Sequence, residues 1–232
     1  MSEKIYSAKE LLSIKFPKVV IHNQDFLPLR RGVLTMISGA GGVGKGFVSL
    51  QSAIRFLKYN QQAKALLWFF EDPKEIIRER IELFDVSDVE DRLYFTQRNP
   101  HTFDDWKKHI GEFDFVVIDP LVYFYPDDEN DNGEAGKFIN ELRDSTETNK
   151  NITIIIHHHS KTGTTRGASA FTDGSRLVYQ LLLPTEKDDT DELPDKAVFV
   201  NVLKDNYQVC KKEISYIVPQ KMEDAQTVEE TF

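Results

Sequence analysis

The run Gly39-Ala40-Gly41-Gly42-Val43-Gly44-Lys45-Gly46 constrains this chain more than any other part of it. It has the form G-x-x-x-x-G-K. Before it lies an apolar run, Val33–Ser38, which reads as a buried strand. After it, Phe47, Leu50, Ile54 and Leu57 recur at helical spacing through Tyr59. Strand, Gly-rich loop and helix in this order form the context in which such a loop cradles phosphate. Its glycines let backbone N–H groups turn inward, and the helix N-terminus adds partial positive charge. Lys45 is placed to reach the β and γ phosphates. The expected ligand is ATP, held by residues 39 to 46 together with Phe47.

Two apolar strands bring carboxylates to the same neighbourhood. Phe115–Asp119 is a hydrophobic strand ending in Asp119, the form of a Walker B strand, and Asp119 is the expected holder of Mg²⁺ through water. Ala65–Phe70 is followed by Glu71 and Asp72. Glu71 is the candidate catalytic base for the attacking water. Asp72 reads as the N-cap of a helix with Pro73 at its first position. Gly46 breaks the motif, because a Ser or Thr hydroxyl normally contacts the metal there. Ser49 lies one turn on, roughly 5 Å along the axis, and is a poor substitute. On this reading Gly46→Ser raises metal-dependent turnover.

The rest of the chain alternates strand and helix. Helices are expected from Asp72 through Leu83, over Phe103–Ile110 and over Gly136–Thr146. Strands are expected at Leu93–Thr96 and Ile152–His157. Leu177–Leu183, Ala197–Leu203 and Ile214–Val218 then read as strands joined by turns, with Lys187–Asp195 as a polar connection. Helices between apolar strands imply an α/β fold with a mainly parallel, twisted sheet covered on both faces. The C-terminal strands form an antiparallel extension. Residues 1–28 are expected to be an arm and linker carrying a short amphipathic helix, Ala8–Ile14. Residues 29–220 form the expected ATPase domain, and 221–232 an acidic, flexible tail.

Composition adds less. The net charge of −9 neither advertises nor forbids a nucleic-acid partner, since a basic groove can coexist with an acidic exterior. Cys210 is the one cysteine in the sequence, so no intrachain disulfide forms. Met1–Lys18 is charged and lacks an apolar leader core, and no apolar run reaches transmembrane length. The expectation is a cytoplasmic protein without a membrane partner.

In order along the chain stand the phosphate loop, Phe70-Glu71-Asp72, Val117-Ile118-Asp119-Pro120 and Asp128–Gly133. His157-His158-His159-Ser160-Lys161, Arg166–Arg176 and Lys204-Asp205-Asn206-Tyr207 follow. This series, from about Leu27 to Tyr207, resembles the RepA-type replicative helicases of plasmids and mobile elements, within the wider RecA and DnaB ATPase group. The resemblance implies a RecA-like P-loop NTPase core and a ring-shaped homo-oligomer, a hexamer, with ATP sites between subunits. It implies movement on single-stranded DNA and work beside other replication proteins. It also matches Glu71 to the catalytic base, His157 and His158 to the γ-phosphate sensor, and residues 160–169 to the loop facing the DNA channel. Lys204 matches a basic residue near the subunit interface and nucleotide.

Several strings have plainer readings. Asp128-x-Asn130-x-Asn132-Gly133 imitates a calcium loop, but its twelfth position is Ile139 instead of the required Glu, so a solvated loop is expected. Neighbouring histidines on a strand point to opposite faces, which argues against zinc at His157–His159. Lys161 and Arg166, set among Gly, Ser and Thr, suit contact with a nucleic-acid backbone, although an ordinary surface loop shares that composition. The main rival to a DNA motor is a nucleotide-binding switch with little turnover, which takes Gly46 at face value. A third class, phosphoryl transfer to a small molecule, lacks both a legible acceptor pocket and an Arg-rich lid after Val178.

Overall fold

The computed structural model describes residues 5–97, 107, 110–125, 131–158, 169–184, 197–210 and 216–218. Strand β3 (Val33–Gly39) runs through the middle of the sheet, and all seven of its residues are buried. Alternate side chains point to opposite faces. Val33 and Ile37 therefore join one core and Leu34 and Met36 the other. β6 (Phe115–Asp119) divides in the same way, with Phe115 and Val117 on one side and Val116 and Ile118 on the other. Continuous apolar runs of this kind are the signature of parallel strands covered on both faces.

The large sheet has the order β10-β9-β8-β3-β7-β6-β4-β5. Parallel pairing joins β8 (Leu177–Leu182), β3, β7 (Ile152–His158), β6, β4 (Ala65–Phe69) and β5 (Leu93–Thr96). β9 (Val198–Asp205) and β10 (Tyr216–Ile217) extend it antiparallel. This is the expected α/β architecture of a RecA-like P-loop NTPase core: β7 separates the phosphate-loop strand β3 from the Asp119 strand β6. A small ladder, β1 (Ile21–His22) with β2 (Leu29–Arg30), packs at the start of the body. Ile21, Phe26 and Leu27 are buried there, so ordered packing begins well before position 28.

Helix α2 (Lys45–Tyr59) covers one face with Val48, Leu50, Ile54, Phe56 and Leu57. It begins at Lys45, two residues before the expected start, because Gly44 turns the chain at φ 88° directly into the helix. The opposite face is covered by α5 (Asn132–Asn149), which buries Ala135, Phe138, Ile139 and Leu142. This helix exceeds the predicted Gly136–Thr146 at both ends. Asp131 caps it by accepting from the N–H groups of Gly133 and Glu134. The end of the expected acidic loop is thus a helix start.

Helix α3 (Lys74–Ile81) also departs from expectation. Pro73 is its N-cap residue, and no side chain caps it. Asp72 is instead drawn to Arg80, which donates to both of its carboxylate oxygens. Helix α1 (Ala8–Ser13) carries a complete capping box between Ser7 and Glu10 but buries nothing. Two short helices, α4 (Leu121–Phe124) and α6 (Ala170–Gly174), pack against the second core. The expected helix Phe103–Ile110 lies largely outside the described residues, and the Lys187–Asp195 connection and the 221–232 tail lie wholly outside them. No helix among the described residues is long and apolar enough to cross a membrane.

Gly174 lets α6 approach α5 closely. A Cβ there would meet Ile139 Cγ2 at 2.4 Å and Cγ1 at 2.9 Å. Gly174→Ala is expected to destabilise the fold by about 1–3 kcal/mol through overpacking, read as a lower urea midpoint with an unchanged slope.

Candidate nucleotide site

The site forms where parallel strands end. Gly39 closes β3 with its backbone pressed against β8, and a Cβ on it would meet Leu181 O at 2.6 Å. Beyond it Ala40, Gly41 and Gly42 are exposed, while Val43 is buried in the core and pins the loop from below. The first N–H groups of α2, at residues 45–47, have no partner inside the helix and face outward as an anion cradle. Phe47 packs against Phe84, with ring centroids 5.0 Å apart, and fixes the outer side of that first turn.

Lys45 is 5% exposed, and its Nζ donates to Gly39 O at 3.0 Å and Ala40 O at 2.7 Å. Burial pushes its pKa down, while Asp119 and Glu71 pull it back up. The ammonium is therefore held inside the curve of the loop by carbonyls that a polyphosphate outcompetes in charge. Ser49 is committed elsewhere, because its hydroxyl donates to Lys45 O at 2.9 Å inside the helix.

The register brings the remaining groups to this end of the sheet. Gly39 pairs with His158, and Phe69 pairs with Asp119. Glu71 follows two residues after β4, and its Oε2 lies 3.9 Å from His158 Nε2. His157 is buried against Phe171 on the other face, so the strand separates the two histidines as its pleat requires. No cluster of three metal-ligating side chains exists among the described residues.

Asp119 is the most perturbed acid of the site. Its carboxyl is pushed up to about 7, first by burial and then by the carboxylates of Asp72 and Glu71, against the opposing pull of Lys45 and Arg80. Gly46 explains where this carboxylate sits: a Cβ at position 46 would meet Asp119 Oδ2 at 2.6 Å. The acid occupies the slot that a Ser or Thr side chain would fill. Gly46→Ser therefore has to displace Asp119 before it adds a metal ligand, a condition that the motif alone does not reveal.

A P-loop of this type takes Mg²⁺ with its nucleotide, and the residues fit such an ion. The carboxylate of Asp119 is partly buried and receives no hydrogen bond among the described residues, which leaves its oxygens available to a cation. Mg²⁺ characteristically uses one or two carboxylates with phosphates and water. Asp119 is the residue that would hold it, and the ion would neutralise phosphate charge.

A family model described as an AAA domain matches residues 18–164, which takes in the loop, Glu71, Asp119 and His158. The chain belongs to this AAA domain family. It is thus a P-loop ATPase-type domain, and ATP binding is the activity its cradle is built for. No curated protein matches the chain.

Not every predicted residue of this AAA domain reaches the cradle. Lys204 pairs with Val178, which in turn pairs with Met36, roughly 10 Å of strand before the loop. Its Nζ donates to Thr172 O and Asp173 O instead. The structure therefore does not gather Lys204 with Lys45, Glu71, Asp119 and His158 of the same chain. Lys161 and Arg166 lie outside the described residues. Arg80 was missed: its Nη1 would lie 3.5 Å from a Cβ at position 46. The one sequence hint was an Arg turned toward the buried side of a mostly exposed helix, and Arg78 offers the same letter two positions earlier.

Asp119 gives this AAA domain a pH signature. A folded-state pKa above the unfolded value favours the protonated form, so its contribution to stability is lost as pH rises from about 4 toward about 7. Asp119→Asn is expected to stabilise the ligand-free protein by about 1–3 kcal/mol near pH 8 and by little near pH 4. Paired urea titrations at the two pH values read this difference.

Proposed function

We propose that this chain is an ATP-driven, ring-forming DNA motor of the RepA type, serving replication of a plasmid or mobile element. The observation that carries the proposal is the meeting of Lys45, Asp119, Glu71 and His158 at the C-terminal ends of β3, β6, β4 and β7. The amide cradle and Lys45 bind the triphosphate. Glu71 stands at the rim, about half exposed, where it takes a proton from an attacking water. His158 lies within charge-coupling distance of Glu71, so an imidazole that hydrogen-bonds the γ-phosphate also reports its loss to the base. The order of motifs through Tyr207 supports the helicase reading. Under it a neighbour supplies a cation such as Lys204 or Arg166 to the phosphoryl group, and residues 160–169 follow single-stranded DNA.

The second reading, a nucleotide switch that orders an assembly with little turnover, is favoured by Gly46 and the carboxylate in its slot. Phosphate release with and without single-stranded DNA separates the two, alongside mass determination with and without ATP. The motor predicts DNA-stimulated hydrolysis by an oligomer; binding without turnover supports the switch. Glu71→Gln is expected to lower the rate about 10²–10⁴-fold while ATP still binds. Lys45→Ala is expected to weaken ATP binding about 10–100-fold, the scale of a charge-assisted hydrogen bond. Retained hydrolysis in both variants would overturn the proposal.

A further inference from the structure

Helix α3 is mostly solvated, and its two arginines, both in the last turn, have opposite fates. Arg78 pairs with Glu82 along the exposed face, with its side chain 81% exposed. Arg80 turns inward. Its Nη1 and Nη2 donate to Asp72 Oδ2 at 2.5 Å and Oδ1 at 2.9 Å, a two-pronged pair that fixes the plane of the guanidinium. Gln97 anchors the same residue by donating to Asp72 O. The fork is held where a side chain at position 46 would otherwise extend, beside Asp119. Asp72 uses only part of the guanidinium's donor set, which leaves further N–H groups for an anion.

We infer that Arg80 is a second cation of the nucleotide site within the same chain, contacting the polyphosphate beside Gly46. It thereby makes ATP binding unusually tolerant of metal removal. The inference rests on the reading of residues 39–46 as an ATP cradle and goes beyond it. In a P-loop with a hydroxyl at position 46, that hydroxyl helps place the metal that neutralises phosphate charge. Here the position has no side chain, a carboxylate fills its slot, and a permanently charged fork stands next to it. Gly46 and Arg80 thus belong together: a Cβ at 46 would collide with Asp119 Oδ2 at 2.6 Å and would stand in van der Waals contact with Arg80 Nη1 at 3.5 Å.

The test is calorimetric titration of the full chain with ATP, once with excess Mg²⁺ and once with EDTA. Wild-type affinity is expected to fall less than about tenfold in EDTA, whereas Arg80→Ala loses a further 10–100-fold in EDTA, roughly, with a smaller change in Mg²⁺. Arg80→Lys is expected to recover part of the loss, since it restores charge without the fork. If Arg80→Ala does not fold, Arg80→Gln, which keeps a hydrogen bond to Asp72, carries the same comparison. Equal EDTA-to-Mg²⁺ ratios in wild type and variant would overturn the inference, as would a wild type that binds only with Mg²⁺. Failure of the wild type to bind ATP in either condition would instead strike the nucleotide reading beneath it.

Discussion

The close approach of backbone to backbone at the end of β3 governs the rest of the site. Leu181 O lies 2.6 Å from where a Cβ on Gly39 would stand, too close for any side chain, so the strand leaves the sheet as bare main chain. Val43 then sinks into the core and Gly44 turns the chain into α2. Three small adjustments aim the amides of the first helical turn at one volume. Because β3 is buried on both faces, that geometry is fixed by two hydrophobic cores and has little freedom to drift. A cradle that costs no reorganisation on binding holds an anion more tightly than one that must be assembled.

Around the cradle the charges are deliberately unbalanced. Asp119, Asp72 and Glu71 crowd one side, and Lys45 and Arg80 answer them. The raised pKa of Asp119 comes first from burial and then from these neighbouring carboxylates. Gly46 fits this pattern as a spatial requirement: a Cβ there would collide with the Asp119 carboxylate, which lies beside the guanidinium of Arg80. The residue that looks like a defect in the motif is the one that lets the neighbouring charges close in.

Much of this was legible in the chain. Val33–Ser38, Phe115–Asp119 and Ile152–His157 read as buried strands because apolar side chains on both faces leave a continuous signal. Lys45, Glu71, Asp119 and His158 converge because each ends or follows a parallel strand, and parallel strands share one C-terminal edge. What escaped depended on docking. The turn of Arg80 toward Asp72 is set by how α3 lies on the body, through Ile77 and Ile81, and no local pattern distinguishes it from Arg78. Lys204 stands away from the cradle of its own chain for a similar reason. Its level in the sheet follows from antiparallel register, with an irregularity between Val178 and Tyr179, and not from its distance along the chain. The cap at Asp131 was hidden by a string that imitates a calcium loop.

The backbone amides at residues 39–47 are the proposed seat of the triphosphate. Amide hydrogen exchange of the full chain, measured with and without saturating ATP, addresses those groups directly. With ATP bound, exchange is expected to slow in the loop and the first turn of α2, with the exposed helix α1 unaffected. Unchanged exchange across residues 39–47, with ATP bound or with protection elsewhere, would contradict this placement.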